Sequence, residues 1–438
     1  MRPLYFVLRI FVGWSLNLFY REVKVINKPK SFFNPTIFAS NHAAAFMDPL
    51  VIATFNRAIV FFMTRSDIFN KKTNPWLHGM HMLPIYRQQD GVDTKEKNKE
   101  VFAACTKVLH SKRSPLIFAE GFTDDVFVRR LKPLKKGALR MGFGALEACD
   151  WKNEINVAAV GVNYCSPNRL RSDILIANSE KIRLNDYQKE YEENPDKVIT
   201  DLTLELENRL KAQLTHVENE AFCVFHEDIM AVTGKGMHPT IERHDLPLEK
   251  RWKYSKNLAE KLNKLGEDLP ENLKSLQNDL RNFRLSLSKN NIKVDNVGTA
   301  NWSIFDFIWR LIYTVLLAPF ALLALIHVFP LKFFVKNWVE KTMKRPVFWG
   351  STKAVVGMFA VCLFNMILIF GLSAFFEIPF LFSWIYLLSI EFFYLALLTF
   401  RSKFFLIKNA MTKRKLLKEK NVERVELNQR INQFFNLD

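Results

Sequence analysis

The sequence predicts an α/β domain built on a mixed or largely parallel sheet flanked by helices, followed by a helical insert and C-terminal membrane helices. Three observations support this fold class. Short apolar runs alternate with helical patterns between residues 35 and 182, leucines recur at helical spacing within residues 186–300, and three long apolar segments lie within residues 301–400. Alternating strands and helices are typical of α/β folds, and apolar runs of about 20 residues are typical of membrane helices.

The chain begins with an apolar stretch that is too short to cross a bilayer. The apolar run that follows Arg9 has fewer than the roughly 20 residues that a spanning helix needs, and no small-residue cleavage site comes after it. We therefore predict an uncleaved, interfacial N-terminal anchor helix within residues 1–28.

Residues 29–185 are predicted to form the α/β domain. Its candidate strands are the runs PTIFAS, AIVFFMT, LPIYR, PLIFAE, INVAAVGVNY and DILIAN. Helical spacing or helix starts lie between them at residues 49–55, 94–110 and 136–149. Continuous apolar strands of this kind indicate a sheet that is covered on both faces.

Residues 186–300 are charged and helical. The apolar positions step by three and four residues and are Leu258, Leu262, Leu265, Leu269, Leu273, Leu276, Leu280, Phe283 and Leu287. Such stripes usually face a core while the opposite helix faces are solvated, and that is the interpretation adopted here.

Three apolar segments are predicted to lie in the membrane, at residues 303–330, 354–376 and 378–400, before a basic cytoplasmic tail at 401–438. The loop after the first segment and the tail are both rich in lysine and arginine, which indicates that both face the cytoplasm. A full span at 303–330 would put the α/β domain on the other side. We therefore expect that segment to be a re-entrant or interfacial helical hairpin broken near Pro319.

Composition narrows the range of partners. Lys and Arg outnumber Asp and Glu by 62 to 44, a net charge of +18, and next to membrane segments this excess favours lipids and phosphate-bearing substrates over nucleic acid. The five cysteines are scattered and predict reduced thiols. His78 and His81 have no carboxylate or cysteine in register, so no metal site is expected.

Residues 40–50 read SNHAAAFMDPL and contain His42 and Asp48. Taken alone, Asp48 reads as a helix N-cap before Pro49, or as the partner of a catalytic His42. Three further signals follow at strand ends, where α/β folds place their sites: Arg87, then Glu120-Gly121, then a basic run. The basic run comprises Arg129, Arg130, Lys132, Lys135 and Lys136.

Four stretches, NHxxxxxDP, PIYR, FAEG and AVGVNY, resemble in order and spacing the four motif blocks of the glycerolipid acyltransferase family. The resemblance covers roughly residues 30–185. Its longer H-x5-D-P spacing is similar to the branch that acylates glycerol 3-phosphate or dihydroxyacetone phosphate. The chain departs from the family pattern at Ala44, Ala119 and Ala159, which puts the identity of the acceptor in question more than the class of reaction.

The resemblance implies a role for each matched position. His42 would be the general base, and Asp48 would orient its imidazole. Arg87, Glu120, Gly121 and the basic run would bind the phosphate-bearing acceptor. Val160, Gly161 and Asn163 would lie on the acyl-donor side, with the alternative that this stretch is only a core strand.

The leading expectation is an integral membrane acyltransferase, with its catalytic domain on the cytoplasmic face, that acylates glycerol 3-phosphate. Acyl-CoA or acyl-carrier protein would be a co-substrate, and no tightly bound cofactor is expected. The alternatives are a lysophosphatidate, lysophospholipid or dihydroxyacetone-phosphate acyltransferase, and a non-catalytic lipid-binding scaffold. The sequence leaves the oligomeric state open.

Overall fold

The computed structural model describes residues 3–86, 94–241, 246–266 and 268–436, and the side chains of these residues outside 94–98. The chain divides into two compact units, Met1–Glu220 and Ala221–Asp438.

The first unit contains the predicted α/β architecture. Its elements in chain order are α1 (Pro3–Phe19), β1 (Glu22–Ile26), β2 (Thr36–Ser40), α2 (Met47–Phe55), β3 (Val60–Arg65), α3 (Asn74–Gly79), β4 (Met82–Ile85), α4 (Thr94–His110), β5 (Ser114–Phe118), α5 (Gly137–Glu147), β6 (Asn156–Tyr164), β7 (Asp173–Asn178), β8 (Ile182–Arg183), α6 (Gln188–Glu193) and α7 (Pro195–Ala212).

Within the described residues, eight strands form one mixed sheet in the order β1-β7-β6-β2-β5-β3-β4, with β8 paired to β6. β6 runs antiparallel to β7 and β8, and the other pairs are parallel. Every residue of β2, β6 and β7 is buried, as expected for strands covered on both faces. The predicted fold class is therefore confirmed.

The first unit extends beyond residues 29–185 at both ends. β1 pairs in parallel with β7, and Arg21 makes two hydrogen bonds, of 2.9 and 2.7 Å, to the buried carboxylate of Asp173. The charged run EVKVI does not stand out in the sequence because β1 is a half-buried edge strand. At the other end, Leu206 and Leu210 of α7 belong to the same hydrophobic core as the sheet.

The second unit is helical. Its elements are α8 (Cys223–Thr233), α9 (Leu248–Asn263), α10 (Glu271–Lys289), α11 (Val294–Val297), α12 (Ile304–Thr342), α13 (Trp349–Phe375), α14 (Phe380–Thr412) and α15 (Arg414–Phe435). Seven members of the predicted apolar stripe are buried in α9 and α10, which confirms that this stripe faces a core. They are Leu258, Leu262, Leu273, Leu276, Leu280, Phe283 and Leu287.

Among the described residues of this unit, three helices are long and apolar enough to cross a membrane, namely α12, α13 with the turn before it, and α14. The predicted hairpin at 303–330 is wrong, because α12 continues through Pro319 and Pro330 for 39 residues. A proline removes only one backbone hydrogen bond from a helix, and packing with neighbouring helices can compensate for that loss in an apolar bundle.

A polar cluster, buried at His327 and Asn365, joins the three apolar helices. The imidazole of His327 on α12 bonds through Nδ1 to Asn365 Oδ1 on α13, at 2.6 Å, and through Nε2 to Tyr386 Oη on α14, at 2.9 Å. The Asn365 amide also donates to the His327 carbonyl at 3.2 Å. Hydrogen bonds of this kind stabilise helix packing in a bilayer, because lipid is as apolar as the helices and the hydrophobic effect does not drive them together.

The last helix, α15, packs against the helices that precede α12. Arg430 pairs with Asp279 of α10 at 2.7 Å, Arg424 donates to the Val232 carbonyl of α8 at 2.7 Å, and Lys413 donates to the Asn290 carbonyl. The start of α12 and the end of α14 therefore lie at the same end of this helical unit.

This packing predicts the sidedness of two exposed positions. Lys289→Cys on α10 and Lys418→Cys on α15, each in a chain whose native cysteines are replaced by serine, should both react with a membrane-impermeant thiol reagent from the same side of sealed vesicles. Labelling after permeabilisation controls for accessibility. Labelling of the two positions from opposite sides would contradict the packing of α15.

Candidate active site

The site lies where parallel strands end at one edge of the sheet. β2 leads directly into Asn41 and His42, and the neighbouring β5 leads into Glu120, because parallel strands present their carboxyl ends at the same edge. The Asn41 amide takes the place of a backbone partner for β6. It donates to the Val162 carbonyl at 3.1 Å and accepts from the Val162 N–H at 2.9 Å, which fixes the residue that precedes His42.

His42 and Asp48 form a hydrogen-bonded pair. His42 Nδ1 lies 3.0 Å from Asp48 Oδ2. An ionised carboxylate can only accept, so Nδ1 carries the proton and Nε2 keeps a free lone pair. The imidazole stacks on the Phe118 ring, with 4.2 Å between ring centroids and planes 16° apart. This arrangement gives a base of fixed tautomer and orientation.

Asp48 is completely buried and accepts two further hydrogen bonds. The Ala44 N–H donates to Oδ2 at 2.9 Å, and the Tyr164 hydroxyl donates to Oδ1 at 2.8 Å. The helix-cap interpretation of Asp48 is wrong. α2 begins at Met47 and has no side-chain cap bond, so the carboxylate holds the loop before the helix instead of the helix end.

Tyr164 ends β6 and is fully buried. Burial, followed by the charge of Asp48, raises the pKa of Tyr164 well above its ordinary value, so its hydroxyl remains a donor at any physiological pH. Because Tyr164 donates to Oδ1 of Asp48, Oδ2 is left for His42. The Tyr164 bond also offsets the cost of burying the carboxylate.

Glu120 braces the backbone around His42. Its Oε1 accepts from the His42 N–H at 2.7 Å, and its Oε2 accepts from the Lys132 N–H at 3.3 Å. Burial raises the pKa of Glu120, while these two bonds oppose the rise. Gly121 follows with φ of +82°, and a Cβ there would lie 2.6 Å from Lys135 Nζ, so the turn requires glycine.

The five cations of the basic run differ in their surroundings. Arg129 is buried and donates to the Tyr164 carbonyl at 2.9 Å. Arg130 pairs with exposed Glu220 at 3.2 Å, and Lys132 pairs with Asp124 at 2.7 Å. The exposed Lys135 extends over Gly121, and Lys136 donates to Thr200 of α7 at 2.6 Å. Arg129, Arg130 and Lys132 therefore face the same cavity as His42, whereas Lys136 is directed elsewhere.

The segment 213–217, which follows α7, links β6 to the basic run. Asn163 donates to the Gln213 carbonyl and accepts from the Thr215 N–H, both at 2.9 Å. At Gly161 a Cβ would meet the Gln213 carbonyl oxygen at 2.3 Å, so the close approach requires glycine. Gly161 and Asn163 thus hold this segment against the sheet.

His216 completes this link. Its Nδ1 accepts from the Leu131 N–H at 3.0 Å. Burial, followed by the nearby Lys211, lowers the pKa of His216 to about 4. The neutral ring is therefore the form present at physiological pH, and its acceptor is available to hold the basic run in place.

These elements line a small, partly open cavity. Its lining includes Asn41, His42 and Glu120, three cations of the basic run, and Asn163 with Thr215. Val160 is a fully buried strand residue and does not line this cavity.

Arg87 lies outside the residues that the structure describes, and its proposed role stays a prediction. Within the described ranges, no group of three or more His, Cys, Asp or Glu side chains is arranged to hold a metal ion.

Sequence reasoning assigned no individual role to Asn41, Tyr164 and His216. Asn41 and Tyr164 stand inside the motifs NHxxxxxDP and AVGVNY. The available signal for each was a polar side chain at the carboxyl end of an apolar strand. His216 lies more than 50 residues beyond the last motif, and nothing local indicates that it contacts Leu131.

Comparison with known proteins gives one family match. Residues 22–153 match the model of the family described as Acyltransferase, a range that contains His42, Asp48, Glu120 and the basic run. Among solved structures, the chain is similar to the 1-acyl-sn-glycerophosphate (LPA) acyltransferase PlsC from Thermotoga maritima. The identity is 15%, the match covers 47% of this chain and 79% of that one, and the TM-score is 0.32. No curated protein sequence matches this chain. The family match therefore covers the part of the first unit that contains His42, Asp48 and Glu120.

Tyr164→Phe should lower kcat by about tenfold and leave KM nearly unchanged. The substitution removes one hydrogen bond to the buried Asp48 carboxylate, a bond worth about 1.5–3 kcal/mol when an ion is involved, and Tyr164 does not line the cavity. Steady-state kinetics in an acyl-transfer assay would measure the effect.

Tyr20→Phe is the matched control. Tyr20 is also fully buried and lies beside Tyr164, with ring centroids 6.2 Å apart, but its hydroxyl donates to the Pro167 carbonyl at 3.5 Å. Equal losses of kcat in both variants would mean that Tyr164 acts only through packing.

Proposed function

We propose that this chain is a membrane-bound O-acyltransferase that transfers a fatty acyl group from an acyl thioester to a hydroxyl of glycerol 3-phosphate. The observation that carries the proposal is the His42–Asp48 pair, with Nδ1 bound to the carboxylate at 3.0 Å and the ring on the wall of a cavity lined by cations. A base of fixed tautomer beside a cavity wall that carries cations suits acyl transfer to an alcohol that bears a phosphate group.

The chemical step needs no covalent acyl-enzyme. Nε2 of His42 takes the proton of the acceptor hydroxyl while its oxygen attacks the thioester carbonyl carbon. The C–O bond forms, a tetrahedral intermediate follows, and the C–S bond breaks. The departing thiolate receives the proton from the imidazolium. Asp48 stabilises the imidazolium between these two proton transfers, as an orienting carboxylate does in a hydrolase triad.

Two cavity cations suit the acceptor phosphate. Arg130 and Lys132 are held by partly exposed carboxylates, Glu220 and Asp124, and such solvated ion pairs contribute little, about 0–1 kcal/mol. A phosphate dianion can displace the two carboxylates and form stronger charge-assisted bonds with Arg130 and Lys132. Arg129 is already bound to the Tyr164 carbonyl, so its contribution is chiefly to hold the cavity wall.

The membrane helices fit the same chemistry. A long-chain thioester partitions to a bilayer, and a charged acceptor remains in water, so an enzyme that joins them belongs at the interface. Three apolar helices of spanning length and a net charge of +18 suit a protein held at such a surface. We propose that the catalytic domain faces the cytoplasm, the side on which a tail rich in lysine and arginine is expected.

The acceptor and donor are open to direct comparison. Dihydroxyacetone phosphate, lysophosphatidate and other lysophospholipids offer the same hydroxyl chemistry. They differ from glycerol 3-phosphate in the carbonyl group or in an existing acyl chain. Parallel assays of all four acceptors with acyl-CoA and with acyl-carrier protein would rank them, and the H-x5-D-P spacing predicts that glycerol 3-phosphate gives the highest kcat/KM.

The central test is product formation by the purified full-length chain in detergent. Acyl-CoA and labelled glycerol 3-phosphate should give lysophosphatidate, and His42→Ala should lower the rate by roughly 10²–10⁴-fold, the usual contribution of a general base. His78→Ala, which changes a histidine that does not line the cavity, should retain the wild-type rate.

Two results would contradict the proposal. Unchanged turnover in His42→Ala would exclude this histidine as the base. Thermal stabilisation by acyl-CoA without product from any acceptor would favour a non-catalytic lipid-binding scaffold.

A further inference from the structure

An open groove lies on the first unit between α1 and the carboxyl end of α2. It shares no lining residue with the catalytic cavity. Its walls are mostly apolar and include Phe6, Ile10, Trp14, Phe32 and Phe55. Ile10 is 76% exposed and Phe32 is 49% exposed. Large apolar side chains clustered at the surface usually mark a site that binds something.

Three cations gather at the rim of this groove. Arg9 lines the groove itself, and Arg57 extends over the Phe32 ring with 5.9 Å between its guanidinium carbon and the ring centroid. Lys28 lies two residues before Lys30, whose carbonyl accepts a hydrogen bond from Arg57. Burial first, then Arg57 and Arg9, lower the pKa of Lys28. Within the part of the chain that the structure describes, none of the three forms a salt bridge to a carboxylate.

The hydrogen bonds of the two arginines go to neutral groups. Arg9 donates through Nη2 to the Asn56 carbonyl, and its side chain lies beside the Tyr5 hydroxyl. Arg57 donates through Nη1 to the Lys30 carbonyl at 2.8 Å. Like charges held together repel one another, and an anion bound between them removes that repulsion.

An apolar groove with a cationic rim matches an amphiphile that has an anionic head. We propose that this groove binds an anionic phospholipid, with an acyl chain along Phe6, Ile10 and Trp14 and its headgroup phosphate against Arg9, Lys28 and Arg57. A peptide would need hydrogen-bonding groups along the groove, and the side chains there are mainly rings and aliphatic carbons. The three apolar helices of the same chain keep it where such lipids are abundant.

This site is separate from the proposed acyl transfer, and it requires none of the residues that carry out the reaction. Its function would be to favour anionic over neutral lipid at the first unit, since each cation near an anionic lipid surface adds to binding. The readout is lipid binding and not turnover, so the inference can fail while the proposed function stands, and the reverse.

The test measures thermal stabilisation of the full-length chain in detergent as phosphatidylglycerol, phosphatidylcholine of the same acyl chains, or inorganic phosphate is added. Phosphatidylglycerol should stabilise the chain at concentrations at least about tenfold below those needed for phosphatidylcholine. The double variant Lys28→Gln/Arg57→Gln should abolish most of that difference. Ile10→Ser should weaken the effect of both lipids.

Two control variants make the result specific. Lys189→Gln/Lys197→Gln removes two exposed charges of the same unit that line neither cavity, and it should retain the preference. Lys132→Gln, in the catalytic cavity, should also retain it. Equal stabilisation by the two lipids, equal loss in the Lys189/Lys197 pair, or stabilisation by inorganic phosphate alone would each overturn the inference.

Discussion

The buried carboxylate of Asp48 is the constraint on which the site depends. An ion with no exposed surface is costly unless its oxygens are fully bonded, and Asp48 receives donors from His42, from the Ala44 backbone and from Tyr164. Each donor comes from a different part of the fold: the end of β2, the turn before α2, and the end of β6. The requirement to satisfy one carboxylate therefore fixes the relative positions of these three elements, and with them the orientation of the base.

Further hydrogen bonds hold the segments around the His42–Asp48 pair. Glu120 joins the backbone of His42 to that of Lys132, and His216 holds Leu131 from the opposite side. Asn163 anchors the segment that carries His216. The basic run has no secondary structure of its own, yet three residues far apart in the sequence hold its backbone beside His42. Cations on a loop can serve a site only when the loop is fixed in this way.

Much of the fold and part of the site could be predicted from the sequence, and each feature that could not be predicted has a physical cause. The strands and helices of the α/β domain follow from local periodicity, so β2 to β7 and the apolar stripe of α9 and α10 were found. β1 was missed because an edge strand buries too little to produce an apolar run. The hairpin near Pro319 was wrong because proline is a weak helix breaker where packing compensates for a lost bond. His42 and Asp48 were paired through motif spacing, but Tyr164 and His216 reach their partners only through tertiary packing, which no local pattern encodes.

A double-mutant cycle on His42 and Asp48 tests the central claim most directly, because Asp48 is held to act through His42 and not by an independent contact with substrate. Asp48→Asn should lower kcat by roughly 10³–10⁴-fold, by analogy with the orienting aspartate of a hydrolase triad. In the His42→Ala background, the same substitution should cause little further loss, since residues that act as a unit are strongly non-additive. Losses that multiply in the double variant, with each protein folded by thermal unfolding, would show that Asp48 contributes without His42 and would contradict the account.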